Sequence, residues 1–95
     1  MPFAQIIPRP LSSSAVQAYA PASSGVYGIS NAHEWIFISE SDNIRIALLG
    51  HLRELDTVLM KRQPTGFVFE VCETPGRSSR KDRLVQEYAP ICNRH

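Results

Sequence analysis

The stretch Gly25-Val26-Tyr27-Gly28-Ile29-Ser30-Asn31-Ala32-His33-Glu34-Trp35-Ile36-Phe37-Ile38-Ser39 carries two runs of strand-forming residues about a polar turn. Valine, isoleucine, tyrosine, phenylalanine and tryptophan fit a pleated, half-buried surface, and Ser30–His33 supply the turn between them. The pair therefore predicts a β-hairpin. Downstream, Asp42 or Asn43 is placed to cap a helix running to about Glu54. Its apolar residues Ile44, Leu48, Leu52 and Leu55 recur at helical spacing, and Leu49 widens the stripe. Asp56-Thr57 can cap a second short helix, Val58–Arg62, which Pro64 and Gly66 end. Gly66–Cys72 reads as a third strand, and Pro75-Gly76 opens a last helix that runs to about Tyr88 and stops before Pro90. The expected fold is α/β: a small three-stranded sheet flanked by helices in β-β-α-α-β-α order.

Upstream of Gly25 the signals weaken. Residues 1–24 hold four of the chain's seven prolines and the run Ser12-Ser13-Ser14. They predict an extended N-terminal arm over residues 1–23, with one short serine-capped helix near Ala15–Tyr19, ahead of a domain over residues 24–95. A chain of 95 residues holds one modest core, burying roughly 60–65% of its unfolded surface. With 43% hydrophobic and 20% charged residues its composition is that of an ordinary globular domain.

Net charge is +1, but the charge is unevenly spread. Residues 34–56 carry five acids against two arginines, and residues 57–95 carry seven bases against four acids. Four of those bases fall in Arg77-Ser78-Ser79-Arg80-Lys81-Asp82-Arg83. Such a run is either a solvated helix face or an anion-facing patch. Cys72 and Cys92 have no CxxC spacing and no histidine cluster, so reduced thiols are expected and zinc is not. No apolar run has the length of a signal peptide or a membrane span, which gives the expectation of a cytoplasmic protein without membrane contact.

Three segments together resemble the GIY-YIG nuclease family. Gly25-Val26-Tyr27 is similar to its first motif, and Phe37-Ile38-Ser39, ten residues beyond that tyrosine, to its second. The tail from Leu84-Val85 through Pro90 to Asn93 resembles the family's closing pattern, and Asn43 and Arg45 also match. The resemblance implies that family's fold over about residues 24–94. In the family a tyrosine activates water, a helix arginine faces the phosphate and a glutamate on the last helix holds one divalent metal. Carried over by position, Tyr27 and Asn93 match. The second tyrosine becomes Phe37, which has no hydroxyl. The motif glycine becomes Ser39, and the lysine often found next becomes Glu40. The arginine position is Ala47, and the metal glutamate position is Lys81.

Nearby charges do not restore what is lost. Arg45 lies two residues from Ala47, about 200° around a helix, and Asp82 lies about 100° from Lys81. A unit positive charge about 4 Å from a divalent ion is repelled by on the order of 8 kcal/mol at an effective dielectric of ~20. Losing the arginine removes several kcal/mol of transition-state stabilisation besides. The resemblance therefore implies a degenerate member without metal or other cofactor. The exchange of signs at Glu40 and Lys81 predicts an ion pair between them.

Other residues have plain structural readings. Trp35 is expected as a sheet-face anchor, His33 and His51 as surface or boundary histidines, and Tyr27 as a hydrogen-bonded structural tyrosine. Asn93 is expected to bond the local backbone. Arg77, Arg80, Lys81 and Arg83 are the candidate nucleic-acid contacts, with helix N–H groups near Ser78 and Ser79 beside them. The function expected is an inactive GIY-YIG-like binding module whose partner is nucleic acid or another protein. Two alternatives stay open: a divergent metal-dependent DNA endonuclease, and a structural or regulatory protein-interaction domain. The oligomeric state is not legible.

Overall fold

A computed structural model describes residue 3 and residues 7–54 and 57–93. Its elements are β1 (Arg9–Pro10), α1 (Ser13–Tyr19), β2 (Gly25–Ser30), β3 (Trp35–Ser41), α2 (Ile44–Arg53), α3 (Val58–Lys61), β4 (Gly66–Val71) and α4 (Thr74–Tyr88). A short 3-10 turn, Ile91–Asn93, follows. The α/β class and the order from β2 to α4 match the sequence-based expectation. Leu55 and Asp56, expected in the helical stripe and at the second helix cap, lie outside the described residues, as do residues 94 and 95.

The sheet has four strands, not three, in the order β1-β4-β2-β3, and every pairing is antiparallel. The extra strand comes from the segment expected as an extended arm. Arg9 and Pro10 pair with Phe67 and Gly66 at the outer edge of β4. A two-residue strand ending in proline has no sequence signature of its own, and an edge is where proline is tolerated.

The rest of that segment also packs on the domain. Ser12 caps α1 by accepting a hydrogen bond from the Ala15 N–H at 3.2 Å, and Val16 and Ala20 are wholly buried. Pro21 and Ser23 carbonyls accept from the Arg45 and Ile44 N–H groups at 3.1 and 3.0 Å. Together with the Asn43 side chain, which accepts from the Ile46 N–H, they satisfy the first turn of α2.

Central strand β2 is buried along all six residues because helices cover both sheet faces. On one face Tyr27, Ile29, Ile36 and Phe67 pack with Val16, Ile44, Leu48 and Leu59 from α1, α2 and α3. On the other, Val26, Ile38 and Val68 pack with Leu84 of α4 and with Phe3. Each of these large side chains gains roughly 1.5–3 kcal/mol by leaving water. A bulge separates the faces locally: Ile29 pairs with Phe37 but Ser30 pairs with Trp35, leaving Ile36 extra. Consecutive residues Ile36 and Phe37 therefore both join the α2 side, while Trp35 stacks on Phe3 and lies tilted against Tyr88 on the α4 side. Trp35 is thus the sheet-face anchor its sequence context indicates.

Gly25 is bare for a reason of close approach. A Cβ there would collide with the Glu70 carbonyl oxygen of β4 and come within 2.7 Å of Ile44 Cδ1. The first glycine of the hairpin therefore lets β4 and α2 close on β2 at the same point.

Candidate functional site

Strand β2 and helix α2 bring together Tyr27 and His51. The Tyr27 hydroxyl lies 2.9 Å from His51 Nε2. Phe37 completes an aromatic corner, its ring edge-on to His51 at 5.5 Å and tilted to Tyr27 at 6.4 Å. Ser39 is paired with Tyr27 across the ladder. Burial pushes the Tyr27 hydroxyl above the ordinary tyrosine range, and the Ser39 side chain draws it part of the way back. Burial also holds His51 below the ordinary histidine value, with the Glu54 charge opposing that shift. Near neutral pH the corner is an uncharged phenol–imidazole pair.

His51 is the residue the sequence reading missed. It is half-buried, as a boundary histidine is expected to be, but its role as the partner of Tyr27 is not legible from its neighbours. The signal lay in spacing: His51 follows Ala47 by four residues and Ile44 by seven, so it shares their side of α2. Ala47 packs against the same core and contributes no polar group. Arg45 points elsewhere, as its spacing implies, donating from Nε to the Ala20 carbonyl at 2.9 Å.

Glu40 and Lys81 lie with α4, which covers the opposite face of the sheet. The expected Glu40–Lys81 ion pair does not form. Glu40 is instead held by Arg77, one helical turn before Lys81, with Nε 2.9 Å from Oε1. Arg77 Nη1 reaches Asp42 Oδ1 at 2.6 Å and the Ser24 hydroxyl at 2.9 Å. The Ser24 hydroxyl in turn donates to the Cys72 carbonyl at 2.9 Å. Arg77 side-chain exposure is only 13%, so this guanidinium ties α4 to the ends of β2, β3 and β4. Hydrogen bonds to Asp42 and Glu40 raise its pKa above the usual arginine value. An arginine wins this place because its planar fork can serve several acceptors, whereas a lysine is a point charge. Lys81 turns to its neighbour Asp82, with Nζ 3.1 Å from Oδ1.

The candidate nucleic-acid residues are divided in the same way. Arg80 forms a two-pronged contact with Glu70, at 2.7 Å from Nε and 2.9 Å from Nη2. Arg77 and Arg80 therefore face carboxylates of the sheet. Arg83 is exposed and makes no ion pair among the described residues.

Asn93 acts at long range, not on its local backbone. Its amide accepts from the Ile38 N–H at 2.8 Å and donates to the Ile38 carbonyl at 2.9 Å, across 55 residues. Ala89, at φ 47°, and Pro90 end α4 and return the chain to the outer edge of β3. There the amide plane replaces the missing neighbouring strand and closes an edge open to further pairing. Cys72 and Cys92 are both free thiols, as expected.

No protein-family model matches the sequence, and comparison with curated proteins gives no match. Comparison with solved structures defines the fold. The chain is similar to the GIY-YIG N-terminal endonuclease domain of UvrC from Thermotoga maritima bound to magnesium, its catalytic divalent cation. There the TM-score is 0.70 at 18% identity, covering 83% of this chain and 96% of that one. A cation-bound variant of the same domain with an asparagine replaced by alanine gives 0.71 at 16% identity, covering 84% and 96%. One with a tyrosine replaced by phenylalanine gives 0.70 at 16% identity over the same shares. The chain has the GIY-YIG endonuclease fold.

That fold implies a divalent cation, and the side chains here do not fit one. Lys81 stands at the carried-over glutamate position, and the nearby acids Glu40 and Asp42 are engaged by Arg77. Among the described residues no three His, Cys, Asp or Glu side chains converge as a metal-holding group. Among them, too, no helix is long and apolar enough to cross a membrane.

Proposed function

We propose that this chain is a binding module on a nuclease fold, without phosphodiester cleavage of its own. The Arg77–Glu40–Asp42 contact carries the proposal. A resident guanidinium engages both acids beside the carried-over metal position, and one turn away stands Lys81, paired with Asp82, instead of a carboxylate. A divalent ion entering there competes with that guanidinium for the same carboxylates. Tyr27, which with Asn93 matches the family motif, is directed to His51, in a corner that supports packing and recognition.

Nucleic acid is the partner class with the clearest surface, on α4. That surface rests on exposed Arg83 and on Lys81, whose carboxylate partner Asp82 is itself exposed, since Arg77 and Arg80 are held by carboxylates of low exposure. Two phosphate contacts correspond to a salt slope of about −1.4 to −1.8 in log–log form, which is weak, position-tolerant binding.

The test is a cleavage assay on duplex, branched and single-stranded DNA with magnesium or manganese. No product is expected from the native chain. The double substitution Ala47→Arg with Lys81→Glu is the matching attempt at restoring activity. Robust metal-dependent cleavage by the native chain that disappears in Tyr27→Phe establishes an enzyme and overturns the proposal.

A further inference from the structure

A groove of about 460 Å³ opens beside the Tyr27–His51 pair, with Phe37, His51, Glu54, Val58, Arg62 and Ile91 in its lining. We infer that it binds a small planar aromatic cation, such as an amidinium or a protonated heteroaromatic base. This inference rests on the reading of the Tyr27 face as a surface that binds and does not cut. The volume suits a small ligand, and the mix of an apolar wall with a few polar groups is that of a recognition site. Phe37 offers a ring, and Val58, 68% exposed, and Ile91 offer further apolar surface.

The sign of the ligand follows from which charges are already matched. Arg62 is directed to Glu34, with Nη1 4.0 Å from Oε2. Glu54 has no side-chain hydrogen bond or ion pair among the described residues, so among them it is the charged side chain of the groove left to meet a ligand. A cation over the Phe37 ring is also drawn to the negative face of the π system. His51, held through Nε2 by Tyr27, sets one end of the groove. An aromatic carboxylate meets Glu54 unfavourably, and an uncharged ring forgoes both electrostatic contacts.

The experiment titrates benzamidine, benzoate and benzyl alcohol separately into the full 95-residue chain, followed by NMR chemical shifts. Benzamidine is expected to move the Phe37, His51, Val58 and Ile91 signals saturably, with affinity about tenfold above either comparison compound. Glu54→Gln, at an exposed position that leaves folding intact, is expected to abolish that preference. Equal binding of benzoate, no saturable shift with benzamidine, or a preference that survives Glu54→Gln each overturns the inference. DNA cleavage by the same preparation would overturn the parent reading instead, so the two failures are distinguishable.

Discussion

The Tyr27 hydroxyl and His51 Nε2 meet at 2.9 Å although 24 residues separate them in the chain. The bond crosses from the central strand to the helix packed on it, so each residue satisfies the other's polar atom away from bulk water. Replacing Tyr27 by phenylalanine leaves the imidazole nitrogen without that partner. Because an unsatisfied buried polar group carries its desolvation cost, Tyr27→Phe is expected to lose about 1–3 kcal/mol in urea unfolding. A variant as stable as the native chain would show that water replaces the hydroxyl freely.

The same pair sets a pH dependence. His51 binds its proton less readily folded than unfolded, because burial lowers its pKa from 6.5. Below about that value the unfolded chain takes up more protons, so stability falls as the pH drops and levels off once the folded imidazole also titrates. Tyr27 acts at the other end. Its folded pKa is raised above 10.0, so the unfolded chain loses its proton first and stability falls as pH rises past that value. Unfolding curves across pH should show both limbs, and His51→Gln should flatten the acid limb near the histidine value.

Arg77 and Glu40 are expected to be energetically coupled. Arg77→Met leaves Glu40, Asp42 and Ser24 facing one another without their common cation, and should lower the melting temperature more at low salt than at high salt. In a double-mutant cycle with Glu40→Gln, the two losses should sum to more than the loss in the double variant. Strict additivity would mean that the ion pair contributes nothing to holding α4 on the sheet.

Asn93→Ala removes both hydrogen bonds to Ile38 and uncovers the outer edge of β3. A loss of about 1–3 kcal/mol is expected, and the Ile38 amide should become one of the most accelerated in hydrogen exchange. Unchanged exchange at Ile38 would place the protection elsewhere. Asn93→Asp should not restore it, since a carboxylate can accept from the Ile38 N–H but cannot donate to its carbonyl.

Much of this protein was legible in the residues themselves. Strand and helix positions from Gly25 to Tyr88 follow from local propensity, apolar spacing and caps, which act between near neighbours. Asn43 illustrates this: an asparagine just before an apolar helical pattern caps that helix wherever the helix packs. The GIY-YIG fold followed from three motifs in register, and the departures that the resemblance implies at Phe37, Ala47 and Lys81 are read from residue type without coordinates.

Contacts between distant residues were settled only by the tertiary structure. Arg9-Pro10 is a strand only because β4 presents an edge to it, and no periodicity exists in two residues. Glu40 had three arginines and a lysine within one run to choose from. Which one reached it depended on how α4 rotates when Leu84 enters the core, and that rotation placed Arg77 there and left Lys81 with Asp82. His51 and Asn93 likewise gained their roles through partners 24 and 55 residues away. Sequence determines what each side chain can donate, accept or bury; packing decides which of many equally capable partners it meets.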